Sequence, residues 1–305
     1  MNPFRIWLDS GRYHHSDNAD PHRIDWLRIL PFIGLHLACL GVLLVGVSAT
    51  ALVVFLASYL IRMFAITAFY HRYFSHRAFR TSRPMQFAFA LLGASATQRG
   101  PLWWAAHHRQ HHRHADTSDD PHSPSAGFWW SHMGWFLSRR HFGTDLKQVP
   151  DLARYPELRW LDRFDLIVPV LYAAGLFGLG LVLERWAPGL NTSGWQLLVW
   201  GYFVSTVVLI HVTLTINSLA HVWGSRRFET RDDSRNNGLL ALLTLGEGWH
   251  NNHHHFPGSA RQGFYWWEVD ISYYVLWLMA RVRLIHGLKS VPERVLNARR
   301  IEASP

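Results

Sequence analysis

Cysteine is nearly absent from this sequence. Among the 305 residues only Cys39 is a cysteine, and it lies inside an apolar run. A lone thiol excludes an intramolecular disulfide and the ligation of an iron–sulfur cluster by thiolates, so we expect Cys39 to be an inert packing residue. Residues 1–25 also lack an apolar stretch, so no cleavable signal peptide is expected.

Charged residues are scarce in four long stretches, although the mean hydropathy of the whole chain is close to zero, at −0.03. These stretches are residues 29–47, 50–69, 166–183 and 195–215. Each approaches or reaches the roughly 20 apolar residues that a helix needs to cross a bilayer. Helices buried in a soluble core rarely stay apolar on every side. The sequence therefore predicts an integral membrane protein with two transmembrane hairpins, at residues 29–69 and 164–215.

The basic residues predict the orientation of these hairpins. Of the 30 Lys and Arg residues, 28 lie before residue 30, between residues 70 and 163, or after residue 215. Short loops rich in Lys and Arg stay in the cytoplasm, so we expect segments 1–28, 70–163 and 216–305, and both termini, on the cytoplasmic side. The net charge of +9 and the 16 Trp residues suit a surface that faces anionic lipid headgroups. Nucleic acid is not an expected partner, because no compact nucleic-acid-binding motif is present.

Shorter apolar segments and polar residues within the runs refine this picture. Segments 85–97 and 269–284 are too short to span a bilayer, and we expect helices that lie on the membrane or cap the cytoplasmic part. His36 lies inside the first run, where an unpaired polar group is costly, and should form a hydrogen bond between helices. Arg62 lies in the second run, and the sequence offers no explanation for it.

Histidine is concentrated in four short groups. Their nine members are His71, His76, His108, His111, His112, His221, His250, His253 and His254. Neutral imidazole is the commonest protein metal ligand, and positions i, i+3 and i+4 share one helix face. A single tetrahedral zinc uses three or four protein ligands, so this number predicts two metals in one pocket. A redox-inactive pair would suit hydrolysis and a redox-active pair would suit O₂ activation on a hydrocarbon; the spacing alone leaves both open.

These groups and the motifs around them resemble the membrane-bound fatty acid desaturase family, in particular its Δ9 branch of stearoyl-CoA, bacterial and cyanobacterial acyl desaturases. The matching segments run in family order over nearly the whole chain: 71–76, 108–112, 120–122, 127–135, 217–221 and 246–254.

The resemblance implies an all-α integral membrane fold, with four transmembrane helices in two hairpins and a cytoplasmic helical cap that carries a di-iron site. The nine histidines above then correspond to the iron ligands, and Asn217 to an asparagine that reaches one iron through water. Glu247 and Asp120 would orient ligand imidazoles. The implied reaction is an O₂-dependent dehydrogenation that places a cis double bond, at Δ9, in a saturated acyl chain. A bacterial inner membrane is the expected location.

The resemblance leaves two forms of the substrate open, an acyl-CoA and an acyl lipid. Arg139 and Arg140 match a basic pair that contacts the phosphates of CoA in the family, and Trp104 matches an aromatic residue near the same pocket, which favours an acyl-CoA. Stearoyl-CoA desaturases, however, carry an Arg-Asp pair where this chain has Ala106 and His107, so an acyl lipid is the alternative substrate. Tyr59 and Met63 match the end of the family's acyl tunnel, and the size of Met63 predicts chains of about sixteen carbons.

Three further expectations complete the sequence-based hypothesis. No His-Pro-Gly-Gly signature of a fused cytochrome b5 is present, so two electrons should come from an external cytochrome b5, ferredoxin or rubredoxin-like donor. His107, His114 and His255 adjoin the motifs but match no family ligand. The alternatives to a desaturase are a His-rich di-iron membrane hydroxylase or ketolase and, outside the enzymes, a transporter or metal-storage protein.

Overall fold

The computed structural model describes residues 5–12 and 23–301, and within these ranges the chain is helical, with isolated backbone bridges but no β-strand. The all-helical expectation is therefore confirmed for the described residues. The helices that build the fold are α1 Leu30–Val45, α2 Ala49–Ser75, α3 Arg83–Ala94, α4 Pro101–His114, α5 Pro156–Arg163, α6 Ile167–Trp186, α7 Gly194–His221, α8 Gly238–Leu243, α9 His250–His255 and α10 Ile271–Arg281.

Three of these helices, α2, α6 and α7, are long and apolar enough to cross a membrane. Helix α1 is apolar as well but shorter, and it ends at Gly46, whose φ of 64° stops a helix. At 1.5 Å per residue α1 is about 24 Å long, less than the roughly 30 Å of a bilayer core. Three of the four predicted spans are therefore present by length and composition.

Side-chain caps fix where several helices begin. Ser48 accepts a hydrogen bond from the Ala51 amide at the start of α2, and Asp270 accepts one from the Tyr273 amide at the start of α10. The start of α4 is capped from a distance, because the carboxylate of Asp162 in α5 accepts hydrogen bonds from the amides of Leu102 and Trp103, at 3.0 and 2.7 Å. Such caps satisfy amides that have no partner within the helix.

Two of the long helices change to π-helical geometry, at Ala65–Ser75 in α2 and Leu198–Val204 in α7. A π-helix bonds residue i to residue i+5, so positions five apart come to lie on one face. His71 and His76 have this spacing, and their ring centroids are 4.9 Å apart. The π-turn therefore explains the His-x-x-x-x-His spacing of the first motif, which an α-helix would splay apart.

The buried Arg62 in α2 is explained by neutral acceptors from three helices. Its guanidinium donates to the hydroxyls of Ser205 and Thr206 in α7, at 2.6 and 2.7 Å, and to the carbonyl of Ser58, at 3.1 Å. The ring of Tyr172 in α6 lies 5.0 Å away. Arg62 thus joins all three long apolar helices, without a carboxylate partner in the described part of the chain.

The two shorter apolar segments form α3 and α10. Helix α3 packs one face on the π-helical part of α2, so closely that a Cβ at Gly93 would lie 2.0 Å from the ring of Tyr70. Helix α10 buries Ser272 and Leu276 and exposes Leu278 on its opposite face. Both helices are amphipathic in their packing, as expected of helices at a membrane surface.

Candidate metal centre

The fold brings all nine predicted histidines together in two groups, from the ends of α2 and α7 and from the short helices α4 and α9. The ligand nitrogens within each group lie within 4.8 Å of one another. The five-histidine group consists of His71, His76, His108, His112 and His253. The four-histidine group consists of His111, His221, His250 and His254. Nitrogens this close can bind one metal ion in each group, at bond lengths of about 2 Å.

Each His-x-x-His-His motif supplies both groups. In α4, His108 and His112 are one turn apart and join the five-histidine group, whereas His111 turns to the four-histidine group. In α9, His250 and His254 are one turn apart and join the four-histidine group. Residues i and i+4 share a helix face while i+3 lies to its side, so one such motif can contact two ions.

The facing imidazoles of the four-histidine group require a cation. His111 and His254 each direct Nδ1 at a carboxylate, from Asp120 and Asp232 respectively, at 2.9 Å in both pairs. Their Nδ1 hydrogens are therefore used, and the two Nε2 atoms, 3.3 Å apart, face each other with lone pairs. Two lone pairs at this distance repel each other unless a cation, a metal ion or a proton, lies between them.

Similar contacts occur in the five-histidine group. The Nε2 atoms of His71 and His253 are 3.0 Å apart, and those of His253 and His112 are 2.9 Å apart. One nitrogen of His253 thus faces two others, although a ring nitrogen carries at most one hydrogen. This convergence on a shared point is the geometry of metal ligation rather than of a hydrogen-bond network.

Carboxylates orient the ligand imidazoles from outside the two groups. Besides the pairs with Asp120 and Asp232, Nδ1 of His221 lies 3.0 Å from Asp116, and Nδ1 of His71 contacts Glu247. The contacts agree with the roles expected for Asp120 and Glu247. Asp116 and Asp232 were not expected; the motif spacing gave no signal for them, since they contact histidines 105 and 22 residues away.

The arginine of the first motif holds Glu247 in place. Arg72 is buried and donates to Glu247 at 3.1 Å and to Asp270 at 2.9 Å, and both carboxylates are buried. Gln262 donates to Glu247 at 3.0 Å from the other side. Buried carboxylates without such partners would take up protons, so this network keeps Glu247 an acceptor for His71.

Burial keeps five imidazoles of the site neutral. Burial, with neighbouring imidazoles adding to it, lowers the pKa of His76, His108, His112, His250 and His253 well below the usual value. Metal ligands must be deprotonated, so these side chains offer lone pairs at neutral pH.

The aspartates beside the site are kept ionised. Burial alone would raise their pKa values, but hydrogen bonds and charge from the adjacent imidazoles outweigh burial and lower the pKa of Asp116, Asp120 and Asp232. In the same way Asp120 outweighs burial and raises the pKa of His111. Ionised carboxylates at Nδ1 leave Nε2 as the ligand atom and make the imidazole a stronger donor to a metal.

A large cavity contacts this centre at His108. Its lining also includes Trp104, His122 and Asn217, and its apolar walls include Phe32, Leu35, Phe136, Ile210 and Leu214. Trp104 stacks on His108 with 5.0 Å between ring centroids. The lining also includes Arg28, Arg99 and Asp165, so the cavity suits a ligand with an apolar part and a polar part.

The sequence comparisons agree with this arrangement. Residues 48–289 match the family described as "Fatty acid desaturase". This chain belongs to the fatty acid desaturase family. The sn-2 palmitoyl-lipid 9-desaturase of Nostoc sp. (strain 36) is 38% identical over 282 residues, which cover 90% of this chain and 94% of that protein.

Two further relatives show the range of named substrates. The sn-1 stearoyl-lipid 9-desaturase of Anabaena variabilis is 36% identical, over 87% of this chain and 93% of that protein. The acyl-CoA C20 Delta5-desaturase of Anemone leveillei is 35% identical, over 89% of this chain and 83% of that protein. The predicted resemblance is therefore confirmed, and with it an oxidoreductase that acts on fatty acyl chains.

The other predicted substrate contacts of this desaturase lie outside the lining of the large cavity. Met63 is fully buried, and its sulfur lies 4.0 Å from the hydroxyl of Thr213, a residue of the cavity wall. Tyr59 donates to the carbonyl of Leu243, at 2.6 Å. Arg139 is exposed, 3.9 Å from Asp25, and Arg140 follows it in the same short helical turn. None of these four side chains lines the large cavity.

The histidines that adjoin the motifs have other partners. His255 bonds to the carbonyl of Val295, at 2.9 Å, and stacks on Phe228. His107 bonds to the carbonyl of Trp103, at 3.0 Å, and lines the cavity, while His114 is exposed at the end of α4.

Proposed function

We propose that the chain is an O₂-dependent acyl desaturase that places a cis double bond at Δ9 of a saturated acyl chain. The observation that carries this proposal is the convergence of nine histidines, in two groups, beside a mostly apolar cavity that His108 lines. Relatives named 9-desaturases, at 36 and 38% identity, support the Δ9 position.

The residues present fit two iron ions, one for each histidine group. Neutral imidazoles suit iron, and the resemblance assigns Asn217 a contact to one iron through water, which would complement the four-histidine group because it has one ligand fewer. When bound, the irons would supply the activation of O₂. Asp116, Asp120, Asp232 and Glu247 would hold the imidazoles at fixed angles, since each contacts a ligand Nδ1.

The reaction needs a balanced supply of electrons and protons. An acyl –CH₂–CH₂– unit, O₂, two electrons and two protons give –CH=CH– and two water molecules. The cavity walls would exclude bulk water and align two neighbouring methylenes with the metal centre. The electrons would come from an external one-electron carrier of the cytochrome b5, ferredoxin or rubredoxin type.

The acyl chain of the substrate is linked either to CoA or to a lipid. The basic pair Arg139 and Arg140 favours an acyl-CoA, the form expected from the sequence. The cyanobacterial relatives are named for lipid-linked chains, and Ala106 and His107 are buried, at 1% and 4% exposure, where they cannot hold a CoA phosphate in solvent. An acyl lipid is therefore the second candidate substrate.

We further propose that residues 29–69 and 164–215 form two membrane hairpins, with 1–28, 70–163 and 216–305 on the cytoplasmic side of a bacterial inner membrane. The excess of Lys and Arg in these three segments supports this orientation. All ligand histidines would then lie at the cytoplasmic surface, within reach of a soluble electron carrier.

Expression in a desaturase-deficient host followed by gas chromatography–mass spectrometry of the fatty acids tests the function. We expect a new monounsaturated peak with a cis-9 double bond. The variant His254→Gln should abolish this peak because it removes a ligand of the four-histidine group. The adjacent His255→Gln is the matched control and should retain it, since the amide can still donate to Val295.

The products separate the competing hypotheses. Hydroxylated acyl chains would identify a hydroxylase, and absence of both product and bound iron would favour transport or metal storage. In membranes supplied with a donor, stearoyl-CoA and a stearoyl lipid are compared as substrates. Faster conversion of the lipid would contradict the acyl-CoA preference.

A further inference from the structure

Three histidines outside the metal centre form one continuous hydrogen-bonded chain. Nδ1 of His36 lies 2.8 Å from the carbonyl of Phe32, and its Nε2 lies 2.9 Å from Nε2 of His211. Nδ1 of His211 lies 3.1 Å from Nε2 of His132, whose Nδ1 lies 3.0 Å from the hydroxyl of Ser218. None of the three belongs to either histidine group. We call His36, His132, His211 and Ser218 the histidine chain.

The histidine chain connects three walls of the apolar cavity. His36 belongs to α1, which contributes Phe32 and Leu35 to the lining. His132 belongs to the turn Trp130–Gly134, which is followed directly by the lining residues Trp135 and Phe136. His211 lies in α7, which contributes Ile210 and Leu214. No residue of the segment Leu30–Ala38 is fully buried, so the contact between His36 and His211 adds a polar link to the partial packing of α1.

The Phe32 carbonyl sets the direction of the bonds between the imidazoles. Because that carbonyl can only accept, Nδ1 of a neutral His36 carries its hydrogen and Nε2 accepts from His211. His211 then accepts at Nδ1 from His132. The one hydrogen of the Ser218 hydroxyl has two acceptors within reach, Nδ1 of His132 at 3.0 Å and the carbonyl of Leu214 at 3.1 Å. The three imidazoles therefore determine one another's orientation.

The chain ends next to a residue of the cavity lining and close in sequence to a member of the four-histidine group. Ser218 follows Asn217, which lines the cavity, and its carbonyl accepts a hydrogen bond from the His221 amide at 3.3 Å. At Ser218 the backbone leaves the α-helical path, with φ −109° and ψ −71°, and the tight turn Leu219–His221 begins. Moving the Ser218 side chain would therefore move both Asn217 and His221.

We propose that the histidine chain is a positioning device that sets which methylene of the acyl chain faces the metal centre. It fixes the position of the cavity wall formed by α1 relative to the segment that carries Asn217 and His221. His36, His132 and His211 act through Ser218 and the walls, and do not touch the reacting atoms. The inference rests on the proposed desaturase function, because its main measurement is the position of the double bond.

Replacing the middle member tests the proposal. In His211→Leu no hydrogen bond can pass through position 211, and we expect turnover to fall between about 10-fold and 100-fold, with double bonds at several positions. In His211→Gln the amide can donate to His36 and accept from His132, so one double-bond position and most of the turnover should return. Iron content of the purified variants should stay equal, since no ligand is changed. Val208→Leu, on the exposed face of α7, is the control and should match the wild type.

Cys39 provides a measurement that does not depend on turnover. It is the sole cysteine and lies in α1 just after the segment that carries His36. If the histidine chain holds α1 in place, a membrane-permeable maleimide should label Cys39 faster in His211→Leu than in wild type or His211→Gln.

The outcomes are distinct. Unchanged turnover, double-bond position and labelling in His211→Leu would overturn the proposal. Equal damage in His211→Gln and His211→Leu would also overturn it and would assign the imidazole a role that an amide cannot fill, such as proton transfer. If the wild type makes no unsaturated product, the proposed function fails, while the labelling of Cys39 still decides whether the chain holds α1.

Discussion

At the scale of single residues, the ligand imidazoles depend on carboxylates that lie far from them in sequence. Asp232 contacts His254 and Asp116 contacts His221, and the Asp233 amide in turn donates to Asp116 at 2.7 Å. The loop that carries Asp232 and Asp233 therefore contacts His254 directly and also contacts Asp116, the carboxylate partner of His221. Removing one carboxylate should weaken the metal site without removing any ligand.

We predict that Asp232→Asn lowers the affinity for iron by about 10-fold to 100-fold. The amide cannot supply the negative charge that makes His254 a stronger ligand. Iron retained during dialysis against a chelator, measured on purified protein, checks this. Asp233→Asn is the matched control, because that side chain is exposed and pairs only loosely with Arg226, at 3.4 Å. Equal iron loss in both variants would contradict the role given to Asp232.

The carboxylate pairs also show where the sequence was informative and where it was not. All nine histidines, Asp120 and Glu247 lie within or beside recognisable motifs, and the structure brings them together. Asp116 and Asp232 lie in loops, and only the folded chain brings them to His221 and His254. Contacts of this kind leave no periodic signal in the sequence, so motif spacing cannot reveal them.

At the scale of helices, the positions of the apolar runs could be predicted from hydropathy, but their local geometry could not. The change from α to π geometry at Ala65–Ser75 sets the positions of His71 and His76. It is supported by α3, which packs against it at the point where Gly93 meets Tyr70. A β-carbon there would lie 2.0 Å from the ring, a distance at which one helix must move.

We predict that Gly93→Ala destabilises the protein by about 1–3 kcal/mol, because the added methyl group forces α3 away from α2. Gly175→Ala provides the control, since no atom lies within 4 Å of a Cβ at Gly175 in α6. That change should be neutral or stabilise by about 0.5–1 kcal/mol, as alanine favours a helix more than glycine does. Thermal unfolding of the purified variants in detergent measures both, and equal melting temperatures would contradict the packing argument.

At the scale of the whole molecule, α1 connects opposite ends of the helical bundle even though it is shorter than the other apolar helices. Before α1, the Asp25 amide donates to the carbonyl of Leu137, at 3.1 Å, in the part of the chain that follows the metal-binding motifs. After α1, Ser48 donates to Gln196 at 2.6 Å, near the start of α7. Helix α7 starts at one end of the bundle and finishes at His221, at the other end. The contact of Ser48 therefore lies at the end away from the histidine groups, and the contact of Asp25 lies at the end near them. We therefore expect α1 to cross the membrane and to thin the bilayer locally.

Cysteine labelling in intact spheroplasts tests this crossing. In a Cys39→Ser background, Val47→Cys and Gly189→Cys should react with an impermeant maleimide, because four crossings place both loops outside. Trp26→Cys and Asp119→Cys should react only after the membrane is opened, since they would lie on the side of the metal centre. Trp26 and Val47 are exposed, at 71% and 62%, so burial does not account for a lack of labelling. Labelling of Trp26→Cys from outside would show that α1 does not cross, and would leave three spans.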